Sequence, residues 1–420
     1  MASLLGRTGD VWRTPGFGAF LFARMVAVLA TQIQAVVVGW QVYQATGEAM
    51  SLAWVGLAQF LPMLALLMPA GDMVDRFNRK LLLAASWAVQ ALCAALLWLL
   101  SAQLHWGLGW LYAVLVLFGC ARAFTGPALQ SLLPQIVPRA QLAQALATNS
   151  MLMRAAAIGG PVVGGLLYAW GDAQLAYGVC LLCLTVGTLL LARVPVRFAA
   201  QRQPDDGSPA TTMWQRFAEG IVFIRNHPII LGTISLDLFA VLLGGVVALL
   251  PIYASEVLKV GPDGLGLLRS AMGAGEVMAG LYLARRPFNR RVGLVMFGAV
   301  AVFGLANLVF SLSHWFWLSF AMLWLAGAAD MVSVYIRQAL VQFATPDHMR
   351  GRVNAVNMLF VSSSNELGSF RAGAGAAWMG AVGASVLGSV STLAIVAAWM
   401  ARFPSLRRAD TFEQAAKNHR

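Results

Sequence analysis

The sequence predicts an all-α integral membrane protein, with twelve transmembrane helices arranged as two six-helix pseudo-repeats. Three observations carry that expectation. The 420 residues are 59% hydrophobic and 11% charged, with a mean hydropathy of +0.72, far from the composition of soluble globular chains. Apolar runs of spanning length recur from one end to the other. A short basic loop, Phe77-Asn78-Arg79-Lys80, returns as Phe288-Asn289-Arg290-Arg291 211 positions later, half the chain length. Duplicated bundles of membrane helices are the usual build of secondary transporters, with the substrate site between the repeats.

A spanning helix needs about 20 mainly apolar residues. The first repeat, residues 1–193, supplies six such runs, at about 17–43, 50–71, 81–103, 108–131, 146–169 and 173–193. No small-residue cleavage site follows a short apolar core near the start, so the first run reads as a retained helix rather than a removable signal. Residues 194–226 form a polar linker containing Pro204-Asp205-Asp206-Gly207-Ser208-Pro209. Its last part, Thr211 to Asn226, alternates Trp214, Phe217, Ile221, Val222 and Ile224 with Arg216, Glu219 and Arg225, which suits an amphipathic helix at the inner interface, tethering the halves. The second repeat, 227–402, supplies runs at about 228–254, 263–284, 292–313, 315–338, 352–378 and 380–402, and 403–420 form a cytoplasmic tail expected to be mobile after Pro404.

Cytoplasmic loops attract Lys and Arg. With the N-terminus inside, 22 of the 29 cations fall on the cytoplasmic side, Arg24, Arg122, Arg154, Arg269, Arg337 and Arg371 fall within or at the ends of spans, and Lys259 alone lies outside. Both termini and the linker are thus expected in the cytoplasm, in a multi-pass protein of the inner (plasma) membrane. The net charge of +12 is explained by this bias, so no nucleic acid is implied. All four cysteines, Cys93, Cys120, Cys180 and Cys183, sit in spans and read as packing residues. Trp106, Trp110, Trp170 and Trp315 cluster near outer ends as interface anchors, and Trp40, Tyr43 and Tyr335 read as core.

Gly71-Asp72-Met73-Val74-Asp75-Arg76-Phe77-Asn78-Arg79-Lys80 resembles the signature loop of the major facilitator superfamily, G-x-x-x-D-R-x-G-R-K. Gly71 permits close helix approach, Asp75 accepts hydrogen bonds from a facing helix N-terminus, and Arg76, Arg79 and Lys80 anchor the inner surface, so the loop acts as a conformational latch. Asn78 stands where the family has Gly, a modest departure because Asn tolerates left-handed backbone. Gly119 to Pro127 resembles the family's fourth-helix segment with its buried Arg. Gly160-Pro161-Val162-Val163-Gly164-Gly165 resembles the G-P-x-x-G-G motif of its proton-driven exporters. Pro346 through Arg352-Val353-Asn354-Ala355-Val356-Asn357, with Asn365-Glu366-Leu367-Gly368, is similar to the enterobactin-exporter-like branch, the whole resemblance covering about 15–402. It implies the major facilitator fold and proton-coupled export, by alternating access, of a siderophore or amphipathic drug. Uptake or uniport by the same fold is the alternative.

A charge at a helix centre costs about 2.5–3.5 kcal/mol or more and marks a partner or an aqueous cavity. Arg24 and Asp237 lie at comparable depths in the two halves, and Arg122 and Asp330 are 208 positions apart, the offset that also pairs Gln130 with Gln338 and Asn149 with Asn357. The resemblance implies that spans 1, 4, 7 and 10 line a central cavity, with a basic wall facing an acidic one. Asp237 and Asp330 are then candidate proton carriers, with Arg24 or Arg122 holding their ionised forms. Glu276 and Glu366 are second-tier candidates, with Arg269 and Arg371 on the same spans; Arg269 and Glu276 share a face but sit about 10 Å apart along the axis, so other helices must supply partners.

An enzyme would need convergent nucleophiles, metal ligands or acid/base groups, whereas His105, His227, His314, His348 and His419 are dispersed. No P-loop implies an ATP-driven pump, and Gly273-Ala274-Gly275 has no strand before it, so neither nucleotide site nor other cofactor is expected. A membrane sensor or scaffold, the reading of a different class, would ordinarily carry a soluble domain that no loop here is long enough to form. The expected partners are a small-molecule substrate, protons and membrane lipids, and a monomer suffices.

Overall fold

The computed structural model describes residues 11–102, 107–138, 141–196, 213–286 and 290–412. All the regular structure among them is helical: α1 Phe17–Thr46, α2 Ala49–Arg76, α3 Arg79–Ala102, α4 Leu108–Ile136, α5 Leu142–Arg193, α6 Met213–Asn226, α7 Pro228–Gly244, α8 Gly261–Arg285, α9 Val292–Leu312, α10 Phe316–Ala344, α11 Asp347–Arg402 and a single turn, α12, Pro404–Arg407. In hydrocarbon every backbone N–H and C=O must be satisfied within its own segment, which is why apolar runs this long fold as helices. Nine of the described helices are long and apolar enough to cross a membrane.

Two of these are double-length. α5 is interrupted at Gly171 and Asp172, where the backbone leaves helical angles, and α11 at Gly380, whose φ of 78° favours glycine. Both breaks fall where the sequence separates one apolar run from the next. The 25-residue α8 carries Arg269 and Glu276 and falls outside the apolar class. The run at 228–254 falls within one spanning segment, Pro228–Val257, in which α7 stops at Gly244 and a 3-10 turn, a helical turn containing Pro251 and a π-turn Tyr253–Val257 continue the chain.

The chain divides into two compact units. The first comprises Met1–Gln44, Leu57–Asp206 and Gly261–Gly266; the second comprises Ala45–Gly56, Gly207–Val260 and Leu267–Arg420. Each therefore contains a short segment from the other sequence half.

In the first unit Phe17, Phe20, Ile33, Trp87 and Tyr177 are fully buried. Several of its internal polar groups pair with one another, as a low-dielectric setting favours. Tyr177 donates its hydroxyl to Gln41 Oε1 at 2.8 Å, Gln41 Nε2 donates to Ser101 Oγ at 2.9 Å, and Gln90 Nε2 donates to Ser86 Oγ and Thr125 Oγ1 at 3.1 and 3.0 Å.

In the second unit Ile229, Leu236, Val292, Phe297, Ile336 and Leu340 form a core from α7, α9 and α10, and Leu406, Ala409 and Phe412 belong to it. The segment after Pro404 is thus packed as far as Phe412, contrary to the expectation of a mobile tail, because its apolar residues recur at every third position and share one face. α6 packs Phe217 and Ile224 against Val353 and Val356 of α11, and Glu219 pairs with Arg352. Ile221 and Val222 stay exposed, so the helix keeps a second apolar face.

Candidate functional site

In the segment expected to act as a latch, α2 runs through Gly71 to Arg76, and Asp72 and Arg76 form an exposed pair one turn apart at 2.9 Å. The Asp75 side chain lies outside the described residues, as do Phe288 and Asn289 of the second basic loop. Asn78 is absent from the left-handed residues Asp172, Lys259 and Arg291. Its side-chain oxygen instead accepts from the Lys80 and Leu81 N–H groups at 3.0 and 3.3 Å, capping α3. That corrects the left-handed reading and explains why Asn replaces Gly there. Lys80 Nζ donates to the Ala192 and Val194 carbonyls, both at 2.7 Å, placing a cation on the last carbonyls of α5. Arg79 Nε approaches the Val74 carbonyl at 3.5 Å.

The segment Gly160-Pro161-Val162-Val163-Gly164-Gly165 lies inside α5 and presents its small residues to two neighbours. A Cβ on Gly160 would meet the Gln32 side chain at 2.5 Å, and one on Gly164 the Ile33 backbone at 3.1 Å, so both face α1. A Cβ on Gly165 would collide with the Pro262 carbonyl at the start of α8, and one on Gly266 would lie 2.5 Å from the Pro161 carbonyl. The motif packs closely on α1 and crosses the start of α8 backbone to backbone, the usual work of small residues between membrane helices.

Among the intramembrane charges, Arg24 Nη1 donates to Asn149 Oδ1 at 2.8 Å, while its buried Nε takes no hydrogen bond. Arg122 is exposed on α4, with its guanidinium 5.9 Å from the Phe118 ring centroid. In the second unit Asp237 on α7 is ion-paired with Arg337 on α10, both side chains buried. Glu366 on α11 acts electrostatically on Arg269 of α8, supplying the partner that Glu276, seven positions along the same helix, cannot. Glu276 has a polar interaction of its own. Asp330 on α10 is partly buried and takes no hydrogen bond or ion pair among the described residues.

Arg337 is the residue that sequence reasoning left without a role. It follows Asp330 by seven positions, two turns on one face of α10, and that spacing was the available signal. Its partner lies 100 positions away on another helix, which no local pattern shows. Among the described residues no group of three or more metal-ligating side chains converges. Trp40 and Tyr43 are buried, Tyr335 is partly buried against the core of the second unit, Trp110, Trp170 and Trp315 are exposed, and Trp106 lies outside the described residues.

The family model described as transmembrane secretion effector matches residues 12–420. The multidrug efflux pump Tap of Mycobacterium tuberculosis is 27% identical over 420 residues, covering 96% of each chain. The enterobactin exporter EntS of Shigella dysenteriae is 24% identical over 346 residues, 81% of this chain and 80% of that one. Among solved structures, a bacterial homologue of the human lysosomal transporter Spinster superposes with a TM-score of 0.68 at 14% identity, covering 93% of this chain and 95% of that one. A bacterial homologue of the iron transporter ferroportin gives 0.67 at 15% identity, covering 94% and 98%. These likenesses fix a transporter fold rather than an enzyme's. The chain belongs to the transmembrane secretion effector family of major facilitator transporters.

Proposed function

We propose that this membrane transporter is a proton-coupled exporter of a small molecule, a siderophore or an amphipathic drug, working by alternating access with both termini in the cytoplasm. The observation that carries the coupling is the difference between two carboxylates: Asp237 is ion-paired, whereas Asp330 has no partner among the described residues. A carboxylate without a cation in a low-dielectric setting is the one whose protonation changes most readily with its surroundings. Asp330 is therefore the first proton carrier. Asp237 with Arg337, and Glu366 with Arg269, set the charge of the acidic wall, and Glu276 is its remaining acid.

Arg24 and Arg122 form the basic wall and receive an anionic group of the cargo. Arg24 has one donor engaged by Asn149 and a buried Nε still unpaired, so it can take an additional acceptor. Export is favoured over uptake by the packed Gly160, Pro161, Gly164 and Gly165 segment and by efflux proteins among the relatives. Twelve spans follow when the breaks in α5 and α11 divide each into two and α8 is counted with the nine apolar helices.

Mass spectrometry of the medium from iron-starved cells, with and without the protein, tests this reading. A secreted siderophore that disappears on deletion, returns with the wild-type chain and does not return with Asp330→Asn supports it. An unchanged siderophore profile assigns the cargo to amphipathic drugs, whose intracellular accumulation must then rise on deletion. If neither changes, export is wrong.

A further inference from the structure

After α11 ends, the chain folds back along the start of α9. The Val292 N–H donates to the Asp410 carbonyl at 3.2 Å and the Gly293 N–H to the Ala409 carbonyl at 3.0 Å. The Arg291 N–H donates to Asp410 Oδ1 at 3.0 Å. These three bonds occupy the Arg291, Val292 and Gly293 N–H groups at the start of α9, while Leu406, Ala409 and Phe412 are buried beneath. Phe412 also stacks on Phe343 of α10, with centroids 6.0 Å apart. Residues 404–412 are thus a fixed strap, held by hydrogen bonds above and apolar burial below.

Through these backbone contacts the strap brings Arg407 and Arg408 to the corner of the chain that carries Arg290 and Arg291, more than 110 positions earlier. All four side chains are exposed, and none takes an ion pair among the described residues. Asp410, the carboxylate on the strap, is engaged by a backbone N–H. Immediately along α9, Leu294, Val302, Leu305 and Leu312 are exposed at helical spacing, the signature of a side that meets lipid tails. Four exposed arginines therefore belong to the corner at the end of a lipid-facing stripe, where a phospholipid places its headgroup. Arginine forks match phosphate oxygens in pairs.

We propose that the strap Pro404–Phe412 and the Arg290–Arg291 corner together form a binding site for the phosphodiester headgroup of an anionic phospholipid. The strap holds two of the four arginines in place, so the site depends on its packing as well as on charge. It needs only the membrane embedding of the chain, and it stands whether or not the cargo and coupling proposed above are right.

The full chain, reconstituted in nanodiscs of phosphatidylcholine with a minor fraction of phosphatidylglycerol, is released into native mass spectrometry and its retained lipids are counted. Wild type retains phosphatidylglycerol in preference to phosphatidylcholine. Each Arg→Gln change at 290, 291, 407 or 408 weakens that preference about fivefold, equivalent to about 1 kcal/mol per cation at an anionic surface. Asp410→Ala and Leu406→Gly keep all four arginines and loosen the strap, and each also loses the preference. Arg193→Gln with Arg225→Gln, elsewhere on the expected cytoplasmic side, leaves it intact. Melting curves and gel filtration accompany every variant, and Asp410→Ala, which leaves the core whole, decides the matter if Leu406→Gly fails to fold. Retention unchanged in the quadruple Arg variant, or unchanged in Asp410→Ala, overturns the proposal. So does displacement of the lipid by millimolar inorganic phosphate, which would make the site a receptor for free phosphate.

Discussion

Asp237→Asn is expected to destabilise the protein more than removal of its partner does, and the asymmetry follows from the chemistry of the pair. Asp237 and Arg337 are both buried and face each other across α7 and α10. Removing one member of a buried pair costs about 3–5 kcal/mol because the other charge is left uncompensated. A guanidinium cannot shed its proton inside a protein, so Asp237→Asn strands a permanent cation and should reach the upper end of that range. Arg337→Met leaves a carboxyl that can take up a proton, and should cost less. The double variant, with no buried charge, should recover most of the loss. For a unit of roughly 200 residues, 1 kcal/mol moves the melting temperature by about 2–4 °C, so the first variant should melt on the order of 10 °C below wild type. The readout is intrinsic tryptophan fluorescence during heating in nanodiscs, which Trp399 reports locally because its indole N–H donates to Ser235 Oγ on α7 at 2.9 Å. Single effects that add to within about 0.5 kcal/mol in the double variant would show that the two residues are not energetically coupled.

Other expectations follow from the same contacts. Asp330→Asn removes a carboxyl with no partner among the described residues, so it should change stability by less than about 1 kcal/mol while abolishing the response of efflux to a pH gradient, read as cargo release with and without an uncoupler. Gly165→Ala drives a Cβ into the Pro262 carbonyl and should cost about 1–3 kcal/mol, whereas Gly159→Ala meets nothing within 4 Å and should be neutral or slightly stabilising; melting curves of the pair give the comparison. Lys80→Met loses two charged hydrogen bonds to the end of α5 and should lower stability by about 1–3 kcal/mol, with Lys80→Arg restoring part of it. Leu406→Ala, at a fully buried position, should cost about 2–5 kcal/mol, where a mobile tail would cost nothing.

Much of the architecture was legible because membrane burial leaves a coarse imprint: apolar runs of fixed length, punctuated by glycine and charge. The division of α5 near residue 171 and of α11 at 380 was visible in this way. The end of α7 at Gly244 was not, since Gly244-Gly245 inside an apolar run reads equally as a packing pair, and its meaning comes from Thr392 and Gly388 pressed against it. The strap was missed because Arg407 and Arg408 mask the spacing of Leu406, Ala409 and Phe412, and because its hydrogen-bonding partner is about 118 positions earlier. The charged site was legible as a set of unusual residues, but not as pairs. Arg24 and Asp237 were evident as costly intramembrane charges, whereas Asn149 and Arg337 as their respective partners required the tertiary structure.

The most direct test places the purified protein in sealed vesicles with a pH-sensitive dye inside and adds a candidate anionic or amphipathic cargo under an imposed proton gradient. The account predicts cargo-dependent proton movement in the wild type, reduced to the level of empty vesicles by Asp330→Asn although that variant stays folded. Cargo transport that proceeds without proton movement, or proton movement that survives Asp330→Asn, would contradict it.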